Sequence, residues 1–174
     1  MRLIKMIGGL GNQMFIYAFY LKMKHHYPDT NIDLSDMVHY KVHNGYEMNR
    51  IFDLSQTEFC INRTLKKILE FLFFKKIYER RQDPSTLYPY EKRYFWPLLY
   101  FKGFYQSERF FFDIKDDVRK AFSFNLNIAN PESLELLKQI EVDDQAVSIH
   151  IRRGGYLLPR HWANTGSVCP IALL

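Results

Sequence analysis

Leu3-Ile4-Lys5-Met6-Ile7-Gly8-Gly9-Leu10-Gly11-Asn12-Gln13 is the stretch on which the fold class turns. Its first five residues make a short, mostly apolar run suited to a buried strand. Glycines break the run, and Met14, Tyr17, Ala18 and Leu21 follow at helical spacing. Strand, glycine turn and helix in that order open an α/β domain. Pro28 stops the helix, His25 and His26 read as its solvated end, and Asn31-Ile32-Asp33-Leu34 reads as a second strand.

Further along, residues 65–81 predict a basic amphipathic helix, with Leu65, Ile68, Leu69, Leu72, Phe73 and Ile77 on one side and lysines and arginines on the other. Residues 83–97, rich in Tyr and broken by Pro84, Pro89 and Pro97, read as irregular. Residues 98–105 predict a strand interrupted by Gly103. Asp113 is expected to cap a helix running to Phe122, with Asp116 in its first turn. Asn130-Pro131-Glu132 starts another helix, whose Leu134, Leu137 and Ile140 are expected to face a core. Asp143-Asp144 then turns the chain into a strand over 146–151.

Composition narrows the function classes. The chain has 174 residues, 47% hydrophobic and 25% charged, which is globular and excludes disorder or collagen. Lys and Arg number 24 against 19 Asp and Glu, a net charge of +5 that favours anionic partners. The two cysteines, Cys60 and Cys169, cannot build a disulfide framework or a zinc site and fit a reducing compartment. No signal peptide precedes the first glycines, and no apolar run approaches the ~18 residues of a membrane span. Metal chemistry lacks its motifs, since Asp-x-Asp, Cys-x-x-Cys and His-Glu-x-x-His are all absent.

Three segments carry chemistry. The loop Gly8 to Gln13 lets backbone approach a ligand and places a helix start behind it, which suits a phosphate or a sugar hydroxyl. It is neither a P-loop nor the dinucleotide fingerprint, because Met14 stands where the third glycine belongs. A plain tight turn is the alternative. His150-Ile151-Arg152-Arg153 lies at the carboxyl end of a predicted strand, where α/β folds place ligands. Paired guanidinium forks match phosphate oxygens; a structural Arg pair bridging nearby carboxylates is the alternative. His150 shares the strand face of Arg152, and a buried core histidine is its plain reading. The third segment is aromatic, over 88–112. Most of its rings belong in a core, while Gln106-Ser107-Glu108-Arg109 forms a loop able to point polar groups into a cleft.

Taken together, Gly8-Gly9-Leu10-Gly11-Asn12-Gln13-Met14-Phe15, Gly103-Phe104-Tyr105-Gln106-Ser107-Glu108-Arg109-Phe110-Phe111 and His150-Ile151-Arg152-Arg153-Gly154-Gly155-Tyr156 resemble the α-1,2-fucosyltransferases, glycosyltransferase family 11. The resemblance spans nearly the whole chain. It implies an α/β fold that forms the Rossmann-like first half of a GT-B-type glycosyltransferase. Residues 1–140 would be the acceptor-side domain and residues 141–174 the start of a truncated, GDP-fucose-binding domain. It further implies inverting transfer of L-fucose from GDP-L-fucose to the 2-hydroxyl of a terminal galactoside, with neither metal nor cofactor. Arg152 and Arg153, with His150 as a further catalytic candidate, would clamp the diphosphate and stabilise departing GDP. Such preorganised groups are worth about 3–4 kcal/mol each in comparable sites. Gly9, Leu10, Gly11, Asn12 and Gln13 would bind substrate from the first domain.

Two departures bear on activity. Gly155 stands where the family motif His-x-Arg-Arg-x-Asp has its carboxylate, a loss of roughly 10²–10⁴-fold if that group acts as a base. The family also continues through a complete donor-binding half, so a fragment, a premature stop or a frameshift is the expectation for this chain, and with it weak or absent activity. A competing non-catalytic reading is a basic module on nucleic acid or on an anionic membrane. Nucleic acid is disfavoured because the basic helix is separated from the aromatic segment by the proline-bearing loop. A membrane contact is compatible with the enzyme, because the 65–81 helix has an interfacial pattern and the acceptor could be lipid-linked; an ordinary packed helix with a solvated basic side is the plain reading of that pattern. The expected location is cytoplasmic, peripheral on the inner face of the membrane.

Overall fold

The structure, a computed structural model, describes residues 2–37, 44–52, 54, 64, 65, 67, 68, 71 and 100–147. Two compact units divide the chain, Met1–Ala129 and Asn130–Leu174.

In the first unit the apolar run forms strand β1, Arg2–Lys5. It pairs in parallel with β2, Thr30–Asp33, on one side and β3, Tyr100–Phe101, on the other. The sheet order is β2-β1-β3. Helix α1, Leu10–His26, makes the crossover between β1 and β2 and ends two residues before Pro28. Alternation along the strands sends Ile4, Ile32 and Phe101 to one face, where they meet Ile16, Phe19, Tyr20 and Met23 of α1. Burying each such side chain is worth roughly 1.5–3 kcal/mol, more than the ~1 kcal/mol that Gly11 costs a helix. The opposite face gathers Leu3, Lys5, Asp33 and Tyr100, all buried. There the Asp33 carboxylate accepts from Tyr100 Oη at 3.2 Å and from Ser35 N and Oγ at 2.9 and 3.1 Å, and Lys5 pairs with Asp36.

Of the helical repeat Met14, Tyr17, Ala18 and Leu21, Tyr17 joins the core that includes the sheet residues, and Met14 and Leu21 pack against it partly buried. Ala18, with Leu21, packs on Ile114 and Val118. Two short 3₁₀ turns, Glu108–Phe110 and Phe112–Ile114, lead into the helix that carries Val118. The short helix Met48–Ile51, α2, precedes it in the chain, so this one, Lys115–Ala121, is α3. Asp116 and Asp117 sit in its first turn, but Asp113 does not cap it: Ile114 holds the cap position. Asp113 instead pairs with Lys22 of α1, whose hydrogen-bonded ammonium holds its exposed carboxyl below the ordinary value. His25 lies 3.3 Å from Asp117. After α2, Phe52 forms an antiparallel bridge with Phe124 and packs on Phe122 at 5.1 Å.

In the second unit, helix α4 spans Pro131–Glu141. Its start is the expected one, with Asn130 Oδ1 accepting from Ser133 N at 2.7 Å and Pro131 in the first turn. None of its residues is buried, so Leu134, Leu137 and Ile140 do not form the buried stripe their spacing suggests. Asp143 Oδ1 accepts from Gln145 N at 3.0 Å, making the expected turn. Ala146 and Val147 are not in a strand, and the rest of that predicted strand lies outside the described residues. Of the predicted 65–81 helix, Leu65, Lys67, Ile68 and Phe71 are helical and exposed; its other residues also lie outside. Among the described residues no helix is long and apolar enough to cross a membrane.

Candidate functional site

With the order β2-β1-β3, the chain runs from β1 to one neighbour first and reaches the other side of β1 only later. The crevice beyond the carboxyl ends of β1 and β3 is a topological switch point, where open α/β sheets bind ligands. Two of the three motif segments arrive there, one from each strand.

Gly8 leaves β1 with φ +82°, the left-handed region that glycine enters without a steric penalty. A Cβ at Gly8 would lie 2.7 Å from Asn12 Nδ2 and 2.9 Å from Asn12 Cβ. Glycine is required there twice over, by conformation and by space. Gly9 caps α1 in extended conformation without a side-chain hydrogen bond, and the first turn of α1 contains no acidic residue. The start of this 17-residue helix therefore presents its N–H groups and positive dipole end toward the crevice. At Gly11 a Cβ would meet nothing within 4 Å, so neither packing nor φ calls for glycine.

Gln13 is fully buried. Its Nε2 donates to Gly8 O at 2.9 Å and to Gly45 O at 2.7 Å, and its Oε1 accepts from Glu47 N at 3.1 Å. Two carbonyls on one side and an N–H on the other fix which end of the amide is nitrogen. Gly45 (φ +75°) follows Asn44 (φ +66°), so the segment that Gln13 grips is itself a left-handed turn.

From β3 the chain passes Lys102 and Gly103 to Phe104, which is 37% exposed, and then to Tyr105. Tyr105 is fully buried and has φ +50°. Its ring stacks on Phe19 at 3.9 Å and 12° and meets Phe110 edge-on at 5.4 Å. Ser107 N donates to Tyr105 O at 2.8 Å, and Ser107 Oγ accepts from Arg109 N at 3.4 Å at the head of the 3₁₀ turn. Between these anchors Gln106 Nε2 donates to Asn12 Oδ1 across the switch point.

Of the sequence-derived candidates, Gly9, Leu10, Gly11 and Asn12 follow β1 at the switch point, where Gln106 from the 106–109 loop reaches Asn12, while Gln13 is buried with its amide taken up by backbone groups. His150, Arg152 and Arg153 lie outside the described residues. Among the described residues no three His, Cys, Asp or Glu side chains are grouped as a metal site requires. The 44–47 turn is passed over in the sequence reading. Gly45 next to Asn44 could have marked a turn, but nothing tied it to Gln13.

A family model described as Glycosyl transferase family 11 matches residues 73–174. An alpha-1,2-colitosyltransferase of Escherichia coli is 29% identical over 165 residues, covering 88% of this chain and 54% of that protein. The chain spans about half the length of that curated relative. No solved structure matches.

Proposed function

The chain belongs to glycosyl transferase family 11, and from that premise we propose that it serves an inverting α-1,2-fucosyl transfer. The donor is GDP-L-fucose and the acceptor a terminal galactoside. In this reaction the acceptor 2-hydroxyl oxygen attacks the anomeric carbon of the sugar from the face opposite the diphosphate. The new C–O bond forms as the bond to the β-phosphate oxygen breaks, the hydroxyl proton goes to a base or to solvent, and GDP departs. In this reading Arg152 and Arg153 neutralise the charge that develops on GDP, His150 is a further catalytic candidate, and neither metal nor cofactor is invoked. Residues 1–140 supply the acceptor side and residues 141–174 the opening of the donor-binding domain of a GT-B-type fold.

The observation that supports this reading is the meeting of Asn12 and Gln106 at the β1/β3 switch point. Two of the resemblance-bearing segments, 94 residues apart, make one polar surface there. It consists of amide groups and helix N–H groups, which suit sugar hydroxyls and an approaching phosphate alike.

A second donor is favoured by the relative's name, which specifies colitose. Colitose is L-fucose without its 3-hydroxyl, and a site that hydrogen-bonds a hydroxyl rejects the analogue lacking it by about 10⁴–10⁵-fold. The two donors are thus separable. The test incubates the full chain with a galactoside and either GDP-fucose or GDP-colitose, followed by linkage analysis. A 2-O-fucosylated galactoside is expected, with slow turnover because Gly155 replaces the family's carboxylate. Transfer of colitose alone would reassign the donor. Absence of saturable binding by both donors and by the galactoside would refute the reading.

Contact with an anionic membrane belongs to the same proposal, with a cytoplasmic location on the inner leaflet. Its support is the exposure of Leu65, Ile68 and Phe71, spaced three apart on a helix with Lys67. Flotation with vesicles containing phosphatidylglycerol, but not with neutral vesicles, is the expected result.

A further inference from the structure

We propose that Gln13 is a positioning residue that sets Asn12 against Gln106 and so shapes the substrate-facing surface of the switch point. This rests on the reading of the glycine loop as part of a sugar-transfer site.

Gln13 has no donor to offer a ligand. Both of its amide hydrogens are committed, to Gly8 O and Gly45 O, and its oxygen takes the N–H of Glu47. All three partners are backbone groups on two turns with left-handed residues, Gly8 on one and Asn44 and Gly45 on the other. A side chain can grip two such turns only if its donors and acceptor match their carbonyls and N–H, which a primary amide does and a carboxylate does not. Gly8 in turn packs under Asn12, since any Cβ there would strike the Asn12 side chain. Gln13 therefore holds Gly8, Gly8 leaves the space Asn12 occupies, and Asn12 reaches Gln106. The first three of these residues lie within the short stretch 8–13, so a shift at Gln13 passes directly to the contact with β3's loop.

The test uses Gln13→Glu and Gln13→Met on the full chain. The carboxylate of Gln13→Glu would face two carbonyls, whereas its protonated form can donate to one of them while still accepting from Glu47 N. Burial and that hydrogen bond both favour the neutral acid, so its pKa rises and acidification repairs the variant. Amide exchange is compared with wild type at matched pH. At about pH 8, Gln13→Glu is expected to exchange about 10-fold faster over 8–13, 45–47 and 103–107, with substantial recovery at about pH 5. Galactoside affinity should fall and recover over the same range. Gln13→Met should show the loosening without the recovery.

Exchange unchanged over 103–107, exchange raised equally throughout the first unit, or wild-type galactoside affinity in Gln13→Glu at about pH 8 would each overturn the proposal. If wild type binds no galactoside, the functional reading fails, and exchange over 103–107 alone decides the role of Gln13. If neither variant folds at either pH, Gln13 is a folding residue only and the proposal is wrong.

Discussion

Replacing Gly8 by alanine tests the geometry of the glycine loop at its tightest point. Two costs add. Holding a residue with a Cβ at φ +82° costs about 1–2 kcal/mol. The new methyl would also sit 2.7 Å from Asn12 Nδ2 and 2.9 Å from Asn12 Cβ. The amide end can swing away, but the Cβ is fixed to helix α1, so the backbone itself must shift. Overpacking of that kind costs about 1–3 kcal/mol. The swing also breaks the bond from Gln106, worth a further ~1 kcal/mol. The sum, about 3–6 kcal/mol, is a large fraction of the ~5–15 kcal/mol that holds a domain together.

Gly11→Ala is the matched control, because a methyl there meets open space in a helical turn. It should stabilise α1 by up to ~1 kcal/mol. Thermal unfolding followed by circular dichroism reads both, at about 2–4 °C per kcal/mol for a chain of this size. Gly8→Ala should therefore melt about 6–24 °C lower, while Gly11→Ala stays level or rises by a few degrees. In an Asn12→Ala background the penalty of Gly8→Ala should shrink, since the nearest atom is gone. An unchanged melting point in Gly8→Ala, or equal damage from Gly11→Ala, would show the loop to be built differently.

Burial, and secondarily the neighbouring Tyr20, pushes the Tyr17 hydroxyl up to about 12. The folded state then binds its proton more tightly than the unfolded state does, so this stability is complete below the ordinary value of 10.0 and lost as pH rises toward 12. Tyr17→Phe should flatten the fall in melting temperature across that window. Asp113 has the opposite sign. Its depressed carboxyl adds stability above the ordinary value of 3.8 that disappears as pH falls below it, so wild type and Asp113→Asn should converge in melting temperature in acid. Asn130→Ala removes the cap on α4 and should cost about 1 kcal/mol, read as faster amide exchange confined to the first turn of that helix.

Much of the first unit was legible because its signals are local. An apolar run, glycines and a helical repeat identify β1 and α1, and in the second unit Asn-Pro-Glu likewise fixes the start of α4. The failures came where a residue's role depends on a distant partner. Asp113 carries every local mark of a cap, yet Lys22, 91 residues away, takes its carboxylate once α1 and α3 pack together. The spacing of Met14, Tyr17, Ala18 and Leu21 marked α1 as a helix but not that it would be buried twice over, against the sheet and against the segment around Ile114 and Val118. Gln13 was legible as a polar amide at a helix start, but not as a buried clasp, because its partners at positions 45 and 47 have no pattern linking them to it.

The two loops at the switch point are built alike. In each, a buried anchor adjoins in sequence the amide that bridges the crevice: Gln13 beside Asn12, and Tyr105 beside Gln106. The anchors differ in kind. Gln13 holds by hydrogen bonds to backbone, whereas Tyr105 holds by rings, stacked on Phe19 and edge-on to Phe110. Tyr105 carries φ +50°, a conformation that costs a bulky residue about 1–2 kcal/mol. Two aromatic contacts at about 0.5–1.5 kcal/mol each, added to the burial of the ring, offset that cost. Gln106 is therefore presented from a backbone that the local sequence disfavours and the core imposes. Strain of this kind persists where packing over-determines it. Here it falls one residue from the contact that joins β1's loop to β3's, so the buried rings of Phe19, Tyr105 and Phe110 also aim the polar group at the crevice.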